Sequence, residues 1–252
     1  MFSKPLEKYI NSLRVKKFRE EHRCFIAEGE KAVSEILHST LVIDKILFTD
    51  KLKDKGMVMG KISQEHLVIV EEHEMKKISE LQTPPTVLAL VQIPEYKIDI
   101  SQLTSGLHLV LDGIQDPGNM GTIIRIADWF GIENIFCSEN CVDAYNAKVV
   151  QASMGSIARV KVFEKNLVEV LTESQLPKIL TVMENSTTIY NNEYSTNALI
   201  VIGSEGKGVS EEAKQLCTNH ISIPKFGNAE SLNAAVATGI ICAALSEKRI
   251  LQ

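Results

Sequence analysis

The sequence predicts an α/β protein with two domains, the second of which contains a mostly parallel sheet with helices on both faces. Short apolar runs rich in β-branched residues alternate with amphipathic stretches along the chain, which indicates strands and helices in turn. Loops rich in glycine, proline or polar residues follow three of the apolar runs. A chain of 252 residues is long enough to bury two separate cores.

The N-terminal domain is predicted over residues 1–95 and is small and mixed. A helix is expected over residues 6–18. Strands and helices then alternate over residues 24–27, 30–38, 43–49, 67–70, 74–81 and 87–91. Prolines at positions 84, 85 and 94 end this region, and the polar residues 96–106 are expected to form a linker.

The C-terminal domain is predicted over residues 107–252. Helices are expected between most of its strands, including residues 122–130 and 234–245. The strands are expected at residues 107–111, 134–137, 158–162, 179–183, 198–202 and 220–223. Because such sheets bind ligands beyond the carboxyl ends of their strands, the loops that follow these strands are the places where a site is expected.

Composition places the chain among ordinary globular proteins, with 44% hydrophobic and 23% charged residues. The longest uncharged stretch near the C-terminus, residues 231–245, is too short to span a bilayer. The first ten residues carry charges without an apolar block behind them, so no signal peptide is predicted. We therefore expect a cytoplasmic protein.

The five cysteines are predicted to be free thiols, because their number is odd, no Cys-x-x-Cys pair occurs and most lie in apolar runs. Cys137 and Cys141 have the spacing of a loose metal pair, but no second pair of Cys or His accompanies them. No metal site is expected.

The net charge of −5 is unevenly distributed. Residues 1–100 contain 16 Lys and Arg against 16 Asp and Glu, so the excess of acidic residues lies in the rest of the chain. Within the first 23 residues basic side chains outnumber acidic ones by seven to three. A solvated helix face explains this arm as well as a phosphate-contacting surface does. Its candidate phosphate-contacting residues are Arg14, Lys16, Lys17, Arg19 and Arg23.

The first loop with candidate site residues runs from Asp112 to Gly121 and reads Asp-Gly-Ile-Gln-Asp-Pro-Gly-Asn-Met-Gly. It leads into a helix that carries Arg125. Unpaired backbone N–H groups at a helix N-terminus bind anions, and Arg125 adds a positive charge about one turn further. An ordinary structural explanation is equally good, namely that Asn119 caps the helix and Arg125 pairs with Asp128.

The second loop, residues 203–208, reads Gly-Ser-Glu-Gly-Lys-Gly, and its three glycines allow a ligand to approach the backbone closely. It matches neither the dinucleotide-binding nor the phosphate-loop pattern, so neither NAD nor ATP is indicated. A plain strand-to-helix turn with Glu205 near the helix N-terminus explains the same residues.

The third segment, residues 221–233, joins a strand to the helix expected at residues 234–245. Ser231 or Asn233 fits the N-cap position of that helix. The helix is rich in alanine and carries Gly239, which permits close packing against another backbone. An ordinary buried helix explains these features without a ligand.

Taken together and in this order, the three segments resemble motifs one, two and three of the SpoU/TrmH methyltransferases, which belong to the SPOUT class. The matching patterns are N-x-G-x-x-x-R at residues 119–125, G-x-E-G-x-G at 203–208 and I-P-x(6)-S-L-N at 223–233. The resemblance covers nearly all of residues 107–247. Residues 14–29 are more weakly similar to the family's RNA-binding extension.

This resemblance implies transfer of a methyl group from S-adenosylmethionine to a ribose 2′-hydroxyl of RNA, with ribosomal RNA favoured over transfer RNA. It also implies a homodimer and a C-terminal trefoil knot, which residue patterns alone would not predict. The alternatives are a transfer-RNA methyltransferase and a non-catalytic RNA-binding or ribosome-assembly factor on the same scaffold. The implied cofactor contacts are Gly203, Gly208, Ile223 and Leu232.

The resemblance also implies a polar set around the reacting ribose. Because a guanidinium does not deprotonate in a protein, we expect Arg125 to bind a phosphate rather than to act as a base. Glu205 would repel RNA phosphates unless it turns inward, so we expect it to hold Asn119 or a backbone group. The full set is Asn119, Arg125, Glu205, Ser231 and Asn233.

Overall fold

A computed structural model of the chain describes residues 2–183, 186–191 and 196–250. The chain divides into two compact units. Unit 1 consists of residues up to Glu95 together with Asp143–Arg159, and unit 2 consists of Tyr96–Val142 and the residues from Val160 onward. The segment Asp143–Arg159, which lies inside the range expected for the second domain, therefore belongs to the first unit.

The helices of the described residues are α1 (Lys4–Ser12), α2 (Lys16–His22), α3 (Glu30–Leu37), α4 (Glu72–Ile78), α5 (Pro117–Trp129), α6 (Ala147–Ala152), α7 (Leu167–Glu173), α8 (Glu211–Gln215) and α9 (Ala234–Ile250). The strands are β1 (Cys24–Glu28), β2 (Ile43–Phe48), β3 (Leu67–Ile69), β4 (Val87–Gln92), β5 (Leu107–Asp112), β6 (Asn134–Cys137), β7 (Lys161–Glu164), β8 (Lys178–Thr181), β9 (Thr187–Thr188), β10 (Ala198–Gly203) and β11 (Asn219–Ser222).

Unit 1 contains a four-stranded mixed sheet in the order β1-β4-β2-β3. Strand β4 is antiparallel to both β1 and β2, whereas β2 and β3 are parallel. All five residues of β1 are buried, and α3 and α6 pack close to this strand. The alternation of strands and helices expected for the N-terminal domain is therefore present.

The helix expected over residues 6–18 is broken into α1 and α2. Val15 has an extended backbone and forms the N-cap of α2. The break leaves the carbonyl of the buried Leu13 free to accept a hydrogen bond of 2.7 Å from the guanidinium of Arg19. A single continuous helix would use that carbonyl in its own backbone ladder, so the prediction of one helix was wrong.

Unit 2 contains a seven-stranded sheet in the order β7-β6-β5-β10-β8-β11-β9, and every pair of neighbouring strands is parallel. The central strands β5 and β10 are almost entirely buried, as strands covered on both faces must be. Gly203 at the end of β10 is in register with Asp112 at the end of β5. The loops that follow these two strands therefore emerge side by side.

Several element boundaries in unit 2 differ from those expected. Strand β7 begins at Lys161 rather than at residue 158, because Gly155 has a left-handed backbone and a short 3₁₀ turn, Ser156–Ala158, follows it. Strand β9 was not predicted, since two threonines give no periodic signal. The expected linker residues 96–106 belong to unit 2, where Tyr96 lies against the ring of Phe163 at a centroid distance of 6.0 Å.

Candidate active site

The first wall of the site is the start of α5, which begins at Pro117 and not at residue 122 as expected. Asp116 is the N-cap, and its Oδ1 accepts a hydrogen bond of 2.8 Å from the backbone N–H of Asn119. Proline at the first helical position is preorganised for this geometry. Asn119 therefore lies in the first turn of the helix, and the alternative that it is the helix cap was wrong.

The second wall is the loop after β10. A β-carbon on Gly203 would lie 2.2 Å from the carbonyl carbon of Gly208, so glycine is required for the close approach of the two backbones. The backbones of Ser204 and Gly208 exchange hydrogen bonds of 2.9 and 3.2 Å. The buried carboxylate of Asp112 accepts the backbone N–H of Ser210 at 2.8 Å. These contacts hold the loop in one conformation.

The third element is the start of α9, where Asn233 caps the helix. Its Oδ1 accepts the backbone N–H groups of Ala235 and Val236 at 3.0 and 3.2 Å. The cap leaves the Nδ2 group of Asn233 available to other partners. Further along this helix, a β-carbon on Gly239 would lie 3.6 Å from Ile126 of α5, so the two helices pack closely.

A hydrogen-bond network joins these three elements. The Oε1 atom of Glu205 accepts from Asn119 Nδ2 at 3.1 Å, from Asn233 Nδ2 at 2.9 Å and from the backbone N–H of Ala234 at 3.1 Å. Asn233 Nδ2 also donates to Asn119 Oδ1 at 2.7 Å. The contacts expected for Glu205 are therefore present, and each of the three sequence motifs contributes one side chain. A carboxylate at the N-terminus of α9 is also favoured by the helix dipole.

Arg125 and Ser231 are exposed and lie outside this network. Neither side chain has a hydrogen bond or an ion pair with any residue that the structure describes, so the alternative that Arg125 pairs with Asp128 finds no support. An exposed guanidinium on α5 retains all five of its donors for a ligand.

Of the candidate cofactor contacts, Gly203 ends β10, Gly208 lies in the loop that follows it, and Leu232 lies shortly before α9. Ile223 directly follows β11, and the side chain of Leu232 is 46% exposed. Thr188 pairs in register with Ser222, next to Ile223, and its hydroxyl oxygen is buried with no hydrogen-bond partner among the described residues. A buried hydroxyl without a described partner, next to the strand that ends before Ile223, fits a ligand with polar atoms, such as S-adenosylmethionine.

A cavity of about 530 Å³ lies between the loops that follow β5 and β10. Asn119, Glu205 and Gly208 belong to its wall, whereas Gly203, Ile223, Leu232, Arg125, Ser231 and Asn233 do not. The wall also contains residues that were not singled out from the sequence, namely Asp116, Gln115, Asn140 and Lys207. Among these four residues only Asp116 had a signal in the sequence, because Asp followed by Pro is typical of the start of a helix.

The cysteines are free and buried. Burial raises the pKa of Cys217 to about 11 and that of Cys242 to about 12. Cys141 differs, because a hydrogen bond with the thiol of Cys137 lowers its pKa to about 7. Among the described residues no group of three His, Cys, Asp or Glu side chains could hold a metal ion.

Of the five basic residues proposed to contact phosphate, Arg19 is the exception. It is only 3% exposed, and its Nε and Nη2 atoms donate to Asp143 at 2.8 and 2.5 Å within unit 1. A buried arginine with this partner is not available to a phosphate, which corrects the expectation for this residue. The other four are accessible: Arg14, Lys16 and Arg23 form weak ion pairs of 3.5 to 3.7 Å, and Lys17 is exposed.

The chain therefore has a parallel sheet with a polar network beyond the ends of its strands. Comparison with known families identifies the class of protein to which this arrangement belongs. A model of the SpoU rRNA Methylase family matches residues 106–243, and a model of the MRM3-like substrate binding domain matches residues 4–89. The chain belongs to the SpoU rRNA methylase family. Within the described residues no helix is long and apolar enough to cross a membrane.

Similar proteins agree with this family. The 23S rRNA (guanosine(2553)-2′-O)-methyltransferase RlmP of Bacillus subtilis is 29% identical over 232 residues, which is 91% of each chain. A solved structure from Porphyromonas gingivalis, assigned to the TrmH family of RNA methyltransferases, is 34% identical with a TM-score of 0.86, covering 98% of this chain and 99% of that one. The AdoMet-bound rRNA methyltransferase of Sinorhizobium meliloti is 25% identical with a TM-score of 0.87, covering 98% and 96% of the two chains.

Proposed function

We propose that the chain transfers the methyl group of S-adenosylmethionine to a ribose 2′-hydroxyl of ribosomal RNA. The observation that carries the proposal is the network in which Glu205 joins Asn119 and Asn233 at the adjacent ends of β5 and β10. A scaffold that only bound RNA would not require three motif side chains to converge in this way. RlmP, which the chain resembles over nearly its whole length, methylates 23S ribosomal RNA at a 2′-oxygen.

The chain's own residues position the reacting groups. S-adenosylmethionine, when bound, would supply an electrophilic methyl group. Asn119 and Asn233, fixed by Glu205, present amide donors and acceptors to the ribose, and the hydroxyl of Ser231 completes this set. Gly203, Gly208, Ile223 and Leu232 would hold the cofactor, largely through backbone groups. Alignment of the 2′-oxygen with the methyl group is the main contribution to the rate.

Arg125 binds the phosphate next to the target ribose and orients the 2′-hydroxyl, while the proton leaves to that phosphate or to water. Its exposed guanidinium supports this role. Arg125→Lys is expected to lower kcat/KM about tenfold or more, since an ammonium cannot form the two parallel bonds to a phosphate. Arg159→Lys, in which the native residue pairs with Glu35 in unit 1, is the matched control. Near-wild-type kinetics for Arg125→Lys would show that Arg125 does not form two parallel hydrogen bonds with a phosphate.

A trefoil knot in unit 2 is supported by the order of the strands. The chain leaves β8, pairs as β9 on the far side of β11, and only then enters β10 between β5 and β8. Strand β11 thus lies between β8, where the connection from β8 to β10 begins, and β9, which is part of that connection. We propose that the segment after β11, residues 223–233, is threaded through this connection before α9 begins.

A homodimer is the proposed functional form. Trp129 on α5 is 84% exposed and Val236 on the adjacent α9 is 52% exposed, so these helices present apolar surface for a second copy.

The RNA is bound by unit 1 in this proposal. Its proposed phosphate contacts are Arg14, Lys16, Lys17 and Arg23. The enzyme acts on this substrate in the cytoplasm.

The function is tested by mapping 2′-O-methyl positions in total RNA from cells with and without the gene. We expect one ribosomal position to lose its mark and the purified protein with S-adenosylmethionine to restore it. Calorimetry with S-adenosylmethionine is the second measurement, because a non-catalytic RNA-binding factor gives no heat. A lost mark in transfer RNA would redirect the substrate, and loss of no mark would contradict the proposal.

A further inference from the structure

The cavity beside the network has an acidic wall. Asp112, Asp116 and Glu205 contribute carboxylates, and Lys207 is the one cation among the described residues that line it. All three carboxylates already accept backbone hydrogen bonds, from Ser210, Asn119 and Ala234 respectively. An acidic cavity repels phosphate and favours a cation or an uncharged ligand that carries hydrogen-bond donors. The RNA backbone is therefore a poor occupant, whereas a nucleobase with an exocyclic amino group is a good one.

Two amide side chains in the wall have no role in the network. Gln115 and Asn140 are exposed to the cavity, and neither amide has a hydrogen bond with a described residue. Each amide offers both a carbonyl acceptor and an NH₂ donor, which is the combination that proteins use to read the edge of a base.

The loops that carry these two amides are held together by several hydrogen bonds. The backbone N–H of Gly113 donates to Ser138 Oγ at 3.0 Å, and that of Ile114 donates to Cys141 Sγ at 3.3 Å. The backbone N–H of Val142 donates to the carbonyl of Ile114 at 2.8 Å. The backbone N–H of Cys141 donates to the carbonyl of Ser138 at 3.0 Å and closes a turn that contains Asn140. The two amides therefore meet a ligand without paying the full cost of ordering their loops.

We propose that this cavity receives the nucleobase of the methylated nucleotide, and that Gln115 and Asn140 read its edge while Asp116 accepts from its exocyclic amino group. The inference rests on the proposed function and adds the residues that select the nucleotide. The cavity adjoins Asn119 and Glu205, so a base held there keeps its ribose beside the network. Extrusion of a target base into a pocket is a common solution for enzymes that modify nucleic acids.

The experiment uses the full-length protein and a ribosomal RNA fragment whose methylated nucleotide has been mapped. Wild-type methylation of this fragment is measured first, and its absence overturns the proposed function and this inference with it. Gln115→Ala and Asn140→Ala are each expected to lower kcat/KM for the RNA about five- to tenfold, with an unchanged affinity for S-adenosylmethionine. Gln175→Ala, an exposed glutamine of unit 2 outside the cavity, is the control and is expected to match wild type.

A second arm changes the base. Replacing the target base by its analogue without the exocyclic amino group is expected to lower kcat/KM for the wild type but not further for Asp116→Ser, which keeps a hydroxyl to cap α5 and removes the carboxylate that accepts from the amino group. Wild-type kcat/KM in both alanine variants overturns the inference. Loss of cofactor affinity in them also overturns it, because the cavity then belongs to the cofactor. Conversion of a dimeric wild type to monomers in these variants overturns it as well, in favour of a partner subunit as occupant.

Discussion

Two of the three glycines of the second motif, Gly203 and Gly206, are expected to respond in opposite ways to the same substitution. A β-carbon on Gly203 would lie 2.2 Å from the carbonyl carbon of Gly208 and 2.5 Å from the backbone nitrogen of Val209. At Gly206, three residues later, a β-carbon meets nothing within 4 Å, and the backbone is not left-handed. Gly203→Ala and Gly206→Ala therefore differ only in whether the backbone must move.

The size of the effect follows from the contact. Atoms at 2.2 Å cannot be accommodated by a side-chain rotation, because both neighbours belong to the backbone. Overpacking of this kind costs about 1 to 3 kcal/mol and occasionally more. For a domain of this size each kcal/mol lowers Tm by about 2 to 4 °C, so Gly203→Ala is expected to lower Tm by roughly 2 to 12 °C. Gly206→Ala is expected to stay within about 0.5 kcal/mol of wild type.

Thermal unfolding and calorimetry with S-adenosylmethionine measure both consequences. Gly203→Ala is expected to lose most of its cofactor affinity as well, since the proposed cofactor contacts Gly203 and Gly208 are the residues whose backbones are pushed apart. If Gly203→Ala melts at the temperature of Gly206→Ala and binds the cofactor with wild-type affinity, the close approach of the two backbones is not required, and the reasoning from the loop geometry fails.

Three further outcomes are expected. Glu205→Gln replaces charge-assisted hydrogen bonds to two amides and a backbone N–H by neutral ones, so kcat/KM should fall about tenfold with little change in Tm; unchanged activity would leave Glu205 a structural part. Arg19→Met should destabilise unit 1 by about 2 to 4 kcal/mol, because Asp143 is left without its partner, while RNA affinity at a permissive temperature stays unchanged; weaker RNA binding by the folded variant would return Arg19 to the RNA contacts. Cys141, whose pKa of about 7 lies below those of the other buried thiols, should be the first cysteine alkylated by iodoacetamide, with a rate that rises between pH 6 and 8 as the thiolate forms; equal labelling of Cys217, located by mass spectrometry, would contradict this.

The elements that the sequence predicted well are those with strong local signals. The buried strands β5 and β10 are apolar over nearly their full length, and their positions agree with the structure to within one residue. The start of α5 was placed five residues too late, because the glycine content of the loop outweighed the Asp116-Pro117 signal. A short strand such as β9 has no periodicity to detect, and its existence depends on the neighbouring strand β11.

Several functional assignments depended on contacts that no pattern in the sequence displays. Arg19 has the same local context as its basic neighbours, but it is buried against Asp143, a residue more than a hundred positions away in the chain. Gln115 and Asn140 belong to different loops, and only the hydrogen bonds between those loops bring them to one cavity. Tertiary packing decides long-range pairing of this kind, because the sequence around either partner contains no pattern that indicates the other.

The sequence by itself determined the class of the protein, because three motifs in a fixed order at strand ends carry the resemblance to the methyltransferase family. It also determined the parallel sheet, since apolar runs of strand length have few other uses. Only the tertiary structure decided that Glu205 holds Asn119 and Asn233 together and that Asn233 also caps α9. The physical reason is that β5 and β10 are neighbours in the sheet although about ninety residues separate them, so their loops meet only after the chain has folded.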